Sequence, residues 1–346
     1  MSASAENLPI KEAEALVARA LTASGAAPAV AALVAEALVA AEIDGQSGHG
    51  FSRVSSYAAQ ARVGKVVGDA APFIEEQAQE GGRERAFFTI DAAHGFAYPA
   101  LALAIETLAA RAPRFGIAAA AIRRSHHCGQ LGAHVERLAE RGLIGVMVAN
   151  APKAIAPWGG SKPFFGTNPI AFGAPIPGAA PLVIDLSVSK VARGKVMAAS
   201  KAGERIPEGW ALDPDGRPTT DPEAAIAGTM IPIGEAKGAA LALMVEVLAS
   251  SLTGAVASHE ASPLLTPEGP PPGVGQFLIA IDPGAGAGGA AGFAARMTAL
   301  IEALGAQEGA RLPGIRRLAA REAAARAGVP ISAKMRAEIE AIAADA

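Results

Sequence analysis

Cysteine and aromatic side chains are scarce in this chain, and neither sign of charge dominates it. Among 346 residues there is one cysteine, Cys128, and the aromatic fraction is 4%. A single thiol excludes an internal disulfide framework and suits a reducing compartment, so a cytoplasmic location is expected. Net charge is −3, from 30 basic and 33 acidic residues, with no basic tail or stripe, which argues against nucleic acid as a partner. Long apolar runs are missing too. The longest, 238–258, is interrupted by Glu246, Ser250, Ser251 and Thr253, and reads as a buried helix rather than a membrane span. The opening MSASAENLPIKEAEALV has no basic start followed by an apolar stretch, and no signal peptide is read there. The expected partner is a small molecule, with neither membrane nor nucleic acid.

What the chain has in quantity is small apolar residues. The hydrophobic fraction of 51% permits a large core of close-packed helices and strands. Helical spacing predicts helices over 9–24 and 28–43, separated by Gly25, and over 53–65, 98–112, 132–142, 237–253, 290–304, 316–327 and 333–344. Short apolar runs predict strands at AFFTID, GIAAAAIRR, IGVMVAN, NPIAFGAP, PLVIDLS and QFLIAI. Residues 150–225 read as loops and short strands, and 263–275 as a Pro/Gly-rich loop. The fold class is mixed α/β, with a helical domain from 1–115 plus 290–346 embracing a central β-rich domain at 116–289. GAGAGG at 284–289 has the outline of a dinucleotide fingerprint. Too little chain follows it for a nucleotide-binding fold, and no acidic strand end follows about 20 residues on, so it reads as a flexible surface loop.

Polar chemistry gathers in three places. DGQSGHGFSR, 44–53, sets His49 between two glycines, with Arg53 and then Tyr57 at four-residue steps. On a helix those steps share one face. A histidine beside an arginine suits proton transfer on a small acid; a solvated helix end is the plainer alternative. SHHCGQLGAH, 125–134, supplies His126, His127, Cys128 and His134. Imidazole and thiolate bind zinc, but adjacent positions are awkward ligands and no second pair supports them, so no metal is expected. A strand-to-loop histidine facing a ligand suits Gly129 and Gly132 better, with a pair of ordinary loop histidines as the alternative. Asp185 ends a very apolar run and needs a partner if buried, a histidine being the natural one. Ser187 and Ser189 alternate with it. Lys237 stands at a predicted helix start, where a phosphate or carboxylate is welcome.

The strings GHGFSRVSSY, DAAHGFAYPA, RRSHHCGQLG, VMVANAPKAIAPWGG, FGTNPIAF, VIDLSVS, IPEGWALDPDGRPTTDP, PIGEAKGAALALMVEVL, GQFLIAIDP and RLPG follow one another over residues 10–330. Together they resemble the malate/L-lactate dehydrogenase family that is unrelated to the Rossmann dehydrogenases. Its members include malate, lactate, sulfolactate and ureidoglycolate dehydrogenases and reductases of diketogulonate and Δ1-piperideine-2-carboxylate. The resemblance implies a fold that binds NAD or NADP without G-x-G-x-x-G, on the central domain, with the substrate on the helical side. It also implies a homodimer with the site near the subunit contact. His49 is then the catalytic proton donor, His127 a second active-site histidine that serves as base in some members, and Asp185 the carboxylate that orients the catalytic histidine. Arg53 holds the substrate carboxylate, with Tyr57, Thr167 and Asn168 beside it. Cofactor contacts are implied for Asn150, for Ile184, Asp185, Leu186, Ser187, Ser189 and Lys190, for Lys237, and for Gly314 and Arg316.

The implied activity is an NAD(P)-dependent oxidoreductase that interconverts a small 2-hydroxy acid and its 2-keto acid, of malate, lactate or sulfolactate type. His49 as imidazolium would protonate the new alkoxide, Asp185 would keep it charged, and Arg53 would fix the carboxylate. The alternative is an NADPH-dependent reductase of cyclic imino acids such as Δ1-piperideine-2-carboxylate. Against it stands Gly48, where the family usually has a serine that joins a relay in the imine-reducing members; Ser47 is expected to point elsewhere. EIDG at 42–45 speaks weakly for it. A non-catalytic binder of a small acid or nucleotide and a zinc hydrolase are the remaining alternatives. Lys153, Arg124 and Arg193 are candidates for a positive wall around a dianionic substrate.

Overall fold

The structure is a computed structural model that describes residues 5–75 and 84–345. In chain order it runs β1 (Ala5–Leu8), α1 (Ile10–Ala23), α2 (Pro28–Ile43), α3 (Val54–Arg62), β2 (Phe73–Glu75), β3 (Phe87–Asp91), α4 (Ala97–Phe115), β4 (Ile117–Ser125), α5 (Leu131–Ala139) and β5 (Ile144–Ala149). There follow β6 (Ile170–Ile176), β7 (Ala179–Leu186), α6 (Arg193–Ala202), β8 (Ala211–Leu212), β9 (Pro218–Thr219), α7 (Pro222–Ala227), β10 (Thr229–Met230) and α8 (Ala236–Glu246). The chain closes with β11 (Val274–Ile281), α9 (Gly289–Gly305), α10 (Ile315–Ala327), β12 (Val329–Ser332) and α11 (Ala333–Ala344).

The central sheet has the order β2-β3-β4-β11-β5-β6-β7. Only β3 and β4 pair in parallel; β11 lies antiparallel to both β4 and β5. The strand before GAGAGG is therefore antiparallel to its neighbours, and the βαβ crossover of a dinucleotide fingerprint is absent there. Runs of alanine in β4 let α4 and α5 pack closely on one face of the sheet, in a core with Leu101, Ile105, Leu108, Val135, Leu138 and Met147. A smaller core under α8 lies on other sheet residues, Ala121, Val148 and Phe277.

The second large core is helical. In α1 the buried residues Ala13, Leu16, Val17, Ala20 and Leu21 form one face at helical spacing. α2 begins with Pro28, whose missing N–H costs nothing in a first turn, and stops at Asp44–Gly45, with Gly45 at φ +77°. These helices enclose Tyr57, Phe96 and Tyr98 and are closed by the C-terminus, where β12 pairs with β1. A third core, around Ile155, Val188 and Val196, holds the small lobe that carries the β10-β8-β9 sheet.

Most expected elements are present within a few residues. Two differences matter. Residues 73–75 and 84–115, expected with the helical domain, supply β2 and β3 to the central sheet and pack α4 on its face, because β3 aligns in parallel with β4. The region read as loops and short strands contains α6, a helix with one fully buried residue, Val196, and so almost no apolar periodicity to betray it.

Candidate active site at the seam of two cores

The chain turns from β4 into α5 through His126–Gln130, and this turn faces the segment that leaves α2 as two 3₁₀ turns, Ser47–His49 and Phe51–Arg53. His49 Nδ1 lies 3.2 Å from His127 Nε2, and the two rings stack nearly parallel with centroids 5.1 Å apart. His127 Nδ1 is 2.6 Å from the Tyr57 hydroxyl, which in turn is 3.3 Å from the Tyr98 hydroxyl. His49 and Arg53 sit in separate 3₁₀ turns and Tyr57 in α3, so the expected single helical face is replaced by a bent approach to one point. Tyr57 is wholly buried, which corrects its expected place beside the substrate: its ring belongs to the helical core and its hydroxyl goes to His127.

The two glycines around His49 differ. A Cβ on Gly50 would lie 2.2 Å from Glu42 Oε2 and 3.1 Å from the Glu42 backbone, while one on Gly48 would meet nothing within 4 Å. Glu42 explains this: its carboxylate accepts from the Phe51 N–H at 3.0 Å and from the Ser47 hydroxyl at 2.7 Å, tying the loop to α2. Ser47 thus turns away from His49. Arg53 Nε donates to the Gly48 carbonyl at 2.6 Å, and among the described residues no carboxylate pairs with its guanidinium.

Electrostatics oppose the expected imidazolium. Burial, and then the Arg53 charge, lower His49 to about 4. Burial also pushes His127 well below the usual histidine range, with Arg53, His49 and His126 adding to it. Both rings are neutral at pH 7. No hydrogen bond joins Asp185 to His49, whose Nδ1 goes to His127. Its Oδ2 accepts from the Gly132 N–H at 2.7 Å, at the start of α5, where helix N–H groups lack partners. Burial raises it, and the Gly132 bond and Arg317 pull it back. Its expected orienting role is therefore not what the geometry shows.

The remaining histidines disperse. His126 bonds Gln60 Oε1 at 3.0 Å, His134 bonds the Cys128 carbonyl at 2.9 Å, and Cys128 packs in the sheet core. Among the described residues no three metal-ligating side chains converge. Gln60 also donates to the Leu264 carbonyl at 3.1 Å, so α3 pins the loop after α8 as well as the histidine turn.

Two expected ligand contacts are structural. The Asn150 amide donates to the Val256 carbonyl and accepts from the Gly275 N–H, both at 2.8 Å. Asn168 is completely buried and donates to the Ala242 carbonyl at 2.9 Å and to Glu246 at 3.0 Å. Thr167 is half-buried, its carbonyl accepting from Val188 at 2.8 Å. Arg124 is held by Asp91 at 2.8 Å, and half-buried Arg193 by backbone carbonyls, so neither is a free wall.

The expected cofactor contacts fall on two adjoining surfaces. Ile184, Asp185, Gly314 and Arg316 line a cavity of about 820 Å³ together with Gln46, close to His49 in the chain. Arg311 and Arg316 are exposed on its wall, and Gly314, at φ +92°, is where α10 begins. Two cations at a helix start suit the phosphates of a dinucleotide. The second surface follows β7: Lys190 N–H bonds the Ile231 carbonyl at 2.8 Å and Ile233 N–H the Val188 carbonyl at 2.7 Å, which brings Ser187–Lys190 beside exposed Lys237. Leu186 is exposed there, whereas the Ser189 hydroxyl turns inward to the Val191 carbonyl.

Reading the sequence did not single out two features. One is Tyr98; the chain has only two tyrosines, and both hydroxyls meet here. The other is an ion network beneath the cavity. Arg321 bonds both oxygens of Asp44, at 2.6 and 2.8 Å, and both of Glu136, at 2.9 and 2.8 Å; Arg317 adds a bond to Glu136 and Gln130 one to Asp44, each at 3.0 Å. It clamps the His49 segment, the start of α5 and α10 together. No local pattern announces it, because its members lie up to 277 residues apart.

A neutral histidine pair beside an arginine that no carboxylate pairs among the described residues, next to a cavity walled by arginines, is the site of an acid–base enzyme for a small anion. The sequence matches the malate/L-lactate dehydrogenase family model over residues 8–340. It is 52% identical to a (2R)-3-sulfolactate dehydrogenase (NADP(+)) of Chromohalobacter salexigens, over 91% of each chain. Identity to a Δ1-pyrroline-2-carboxylate/Δ1-piperideine-2-carboxylate reductase of Pseudomonas putida is 40%, over 94% of this chain and 93% of that one. The crystal structure of the Δ1-piperideine-2-carboxylate reductase from Pseudomonas syringae pvar. tomato superposes with a TM-score of 0.89 at 38% identity, covering 97% of this chain and 99% of that one. This chain belongs to the malate/L-lactate dehydrogenase family.

Proposed function

We propose that this NAD(P)-dependent oxidoreductase is an NADP-linked 2-hydroxy acid dehydrogenase of the sulfolactate type, interconverting a small 2-hydroxy acid and its 2-keto acid. The observation that carries this reading is Arg53, a cation that among the described residues has no carboxylate partner and lies one turn from a histidine whose Nδ1 alone is engaged. Arg53 would grip the substrate carboxylate in a fork, leaving C2 and its oxygen before His49. Bound nicotinamide supplies or accepts the hydride. Arg311, Arg316 and the α10 start would hold its phosphates, with Ser187, Lys190 and Lys237 along the second surface. His49 acts at the substrate oxygen and His127 behind it. The N-terminal helical segment would thus serve the substrate, and the end of β7 together with the start of α10 the dinucleotide.

The NADP preference and the sulfolactate class rest on the likeness to the Chromohalobacter enzyme. The imine-reductase reading keeps its support from the Pseudomonas relatives, and Gly48 weighs against it. We further propose a homodimer: Leu243, Met244, Val247 and Leu252 put an apolar face of α8 and the π-helical turn after it into solvent at 43–53% exposure, and a second copy would cover it. A cytoplasmic location agrees with the single buried thiol. No helix among the described residues is long and apolar enough to cross a membrane.

The test is a set of initial rates of NADH and NADPH oxidation with pyruvate, oxaloacetate, sulfopyruvate and Δ1-piperideine-2-carboxylate. The expected result is fastest turnover with sulfopyruvate and NADPH. Turnover of the imine alone would install the second reading, and cofactor binding without turnover on any of the four would overturn both.

A further inference from the structure

We propose that Tyr57, His127 and His49 form a proton relay ending at the substrate oxygen, and that Tyr98 stabilises its inner end, so that the site works as acid and base without forming an imidazolium. The relay rests on the dehydrogenase reading for its direction, but its resting geometry stands on this chain alone.

The three contacts, at 3.3, 2.6 and 3.2 Å, join four side chains in one line, and one polarity satisfies them best. If His49 donated inward to His127, the Tyr57 hydroxyl would have to donate either to Tyr98, leaving the buried Tyr98 O–H without an acceptor among the described residues, or to the His127 carbonyl, which at 3.5 Å is at the limit of a hydrogen bond. In the opposite polarity Tyr98 donates to Tyr57, Tyr57 to His127 Nδ1, and His127 Nε2–H to His49 Nδ1. Only an acceptor lone pair on Tyr98 then goes unused, which is the smaller loss. This assignment leaves neutral His49 with its proton on Nε2, the ring nitrogen that no described residue bonds. His49 is thereby poised to donate.

A neutral imidazole that simply gave up Nε2–H would become an anion. The relay avoids this. As C2 is reduced, its oxygen takes the Nε2 proton of His49; His49 Nδ1 takes the proton of His127 Nε2; His127 Nδ1 takes the hydroxyl proton of Tyr57. Both imidazoles end neutral, each with its tautomer switched, and the negative charge lands on Tyr57 oxygen. There it accepts from His127 Nδ1–H and from Tyr98 O–H; burial pushes the Tyr57 hydroxyl up to about 12, and the Arg53 charge and the Tyr98 bond pull against that rise. After product leaves, a solvent proton enters at His49 Nε2 and the line runs back. Oxidation of the hydroxy acid is the reverse. The charged and titratable groups around Tyr57 are Arg53, Tyr98, Cys128, His126 and His127, and Arg53 alone among them is charged at neutral pH. Tyr57 and Tyr98 are positioning residues, acting through the histidines.

The first test needs no substrate. Nitrogen-15 spectra of histidine-labelled protein should show both His49 and His127 as Nε2–H tautomers at pH 7, and Tyr57→Phe should release His127 from that preference. The second is kinetic. Tyr57→Phe should lower kcat by about 10²-fold with KM nearly unchanged, as loss of a proton-transfer partner does, and should alter the solvent isotope effect. Tyr98→Phe should keep the tautomers and cost a smaller factor. A merely structural tyrosine would lower the melting temperature and leave tautomers, kcat and isotope effect as they were, and that result overturns the relay. Should Tyr57→Phe not fold, a Nδ1–H tautomer at His127 in the unaltered protein overturns it equally. Failure of the substrate panel with the expected tautomers present would reject the dehydrogenase reading and keep the hydrogen-bonded line.

Discussion

Five residues along the chain separate two opposite treatments of buried charge. Asp44 and Glu136 keep only 1% and 6% of their side chains exposed, and each is matched by arginine: Asp44 by Arg321, Glu136 by Arg321 and Arg317. At His49 and His127 no counter-charge is present among the described residues, so burial removes the charge. A buried ionisable group either finds a partner or turns neutral, and this molecule uses both outcomes side by side. The ion network supplies rigid placement, because forked arginine bonds fix direction as well as distance. The neutral cluster supplies protons that can move, because each member can both donate and accept.

The sharpest way to separate the regions is to remove one member from each. His49→Ala should cut kcat by about 10³-fold, the scale of a lost general acid–base group, with the melting temperature little changed. Arg53→Ala should instead act mainly on KM, raising it by about 10²-fold through the lost charge-assisted fork. Full turnover by His49→Ala would move the proton chemistry to His127.

Arg321→Ala strikes the other region. It should destabilise the fold by about 3 kcal/mol, the lower end for breaking a buried pair, since Arg321 is itself 33% exposed and Arg317 still holds Glu136. Urea unfolding measures this. A loss of kcat out of proportion to the loss of folded protein would show that the clamp also sets the His49 position.

Acid should break the neutral cluster. His49 and His134 lie at about 4, His126 at about 3, and His127 well below its usual range. Below about pH 6.5 the unfolded chain binds protons that the native state refuses until its own lower values are reached. Stability is therefore whole above that point and falls as pH drops from about 6.5 toward about 4, with a slope of up to about 1.4 kcal/mol per pH unit for each histidine. Denaturation midpoints at pH 7 and pH 5 check the sign. A midpoint that stays constant would mean that the histidines are solvated.

The smallest effect is expected from Gly48→Ser. The added side chain enters open space, so stability should move by no more than about 0.5 kcal/mol. What should change is the ratio of imine to keto-acid turnover, in favour of the imine. An unchanged ratio would show that position 48 does not divide the two chemistries. Gly50→Ala at the same loop should be far worse, because its Cβ would collide with Glu42.

Local sequence determined the parts list. Apolar periodicity placed α1, α2, α4, α5 and the strands β3 to β7 and β11, because helices and strands bury faces at fixed periods. The pairing of His49 with Arg53, and the turn bearing His127, were legible because glycine, histidine and arginine are chemically specific. So was the weakness of GAGAGG, from the chain length left after it. Pairing in space was not legible. That Tyr57 turns inward, that Asp185 caps α5 instead of His49, that Asn150 and Asn168 serve the fold, and that Tyr98 completes the line all depend on contacts between segments from 41 to 125 residues apart. Burial decided the protonation as well. The same imidazole is a switch near neutral pH in water and a neutral donor inside this seam, because only the assembled structure takes the water away.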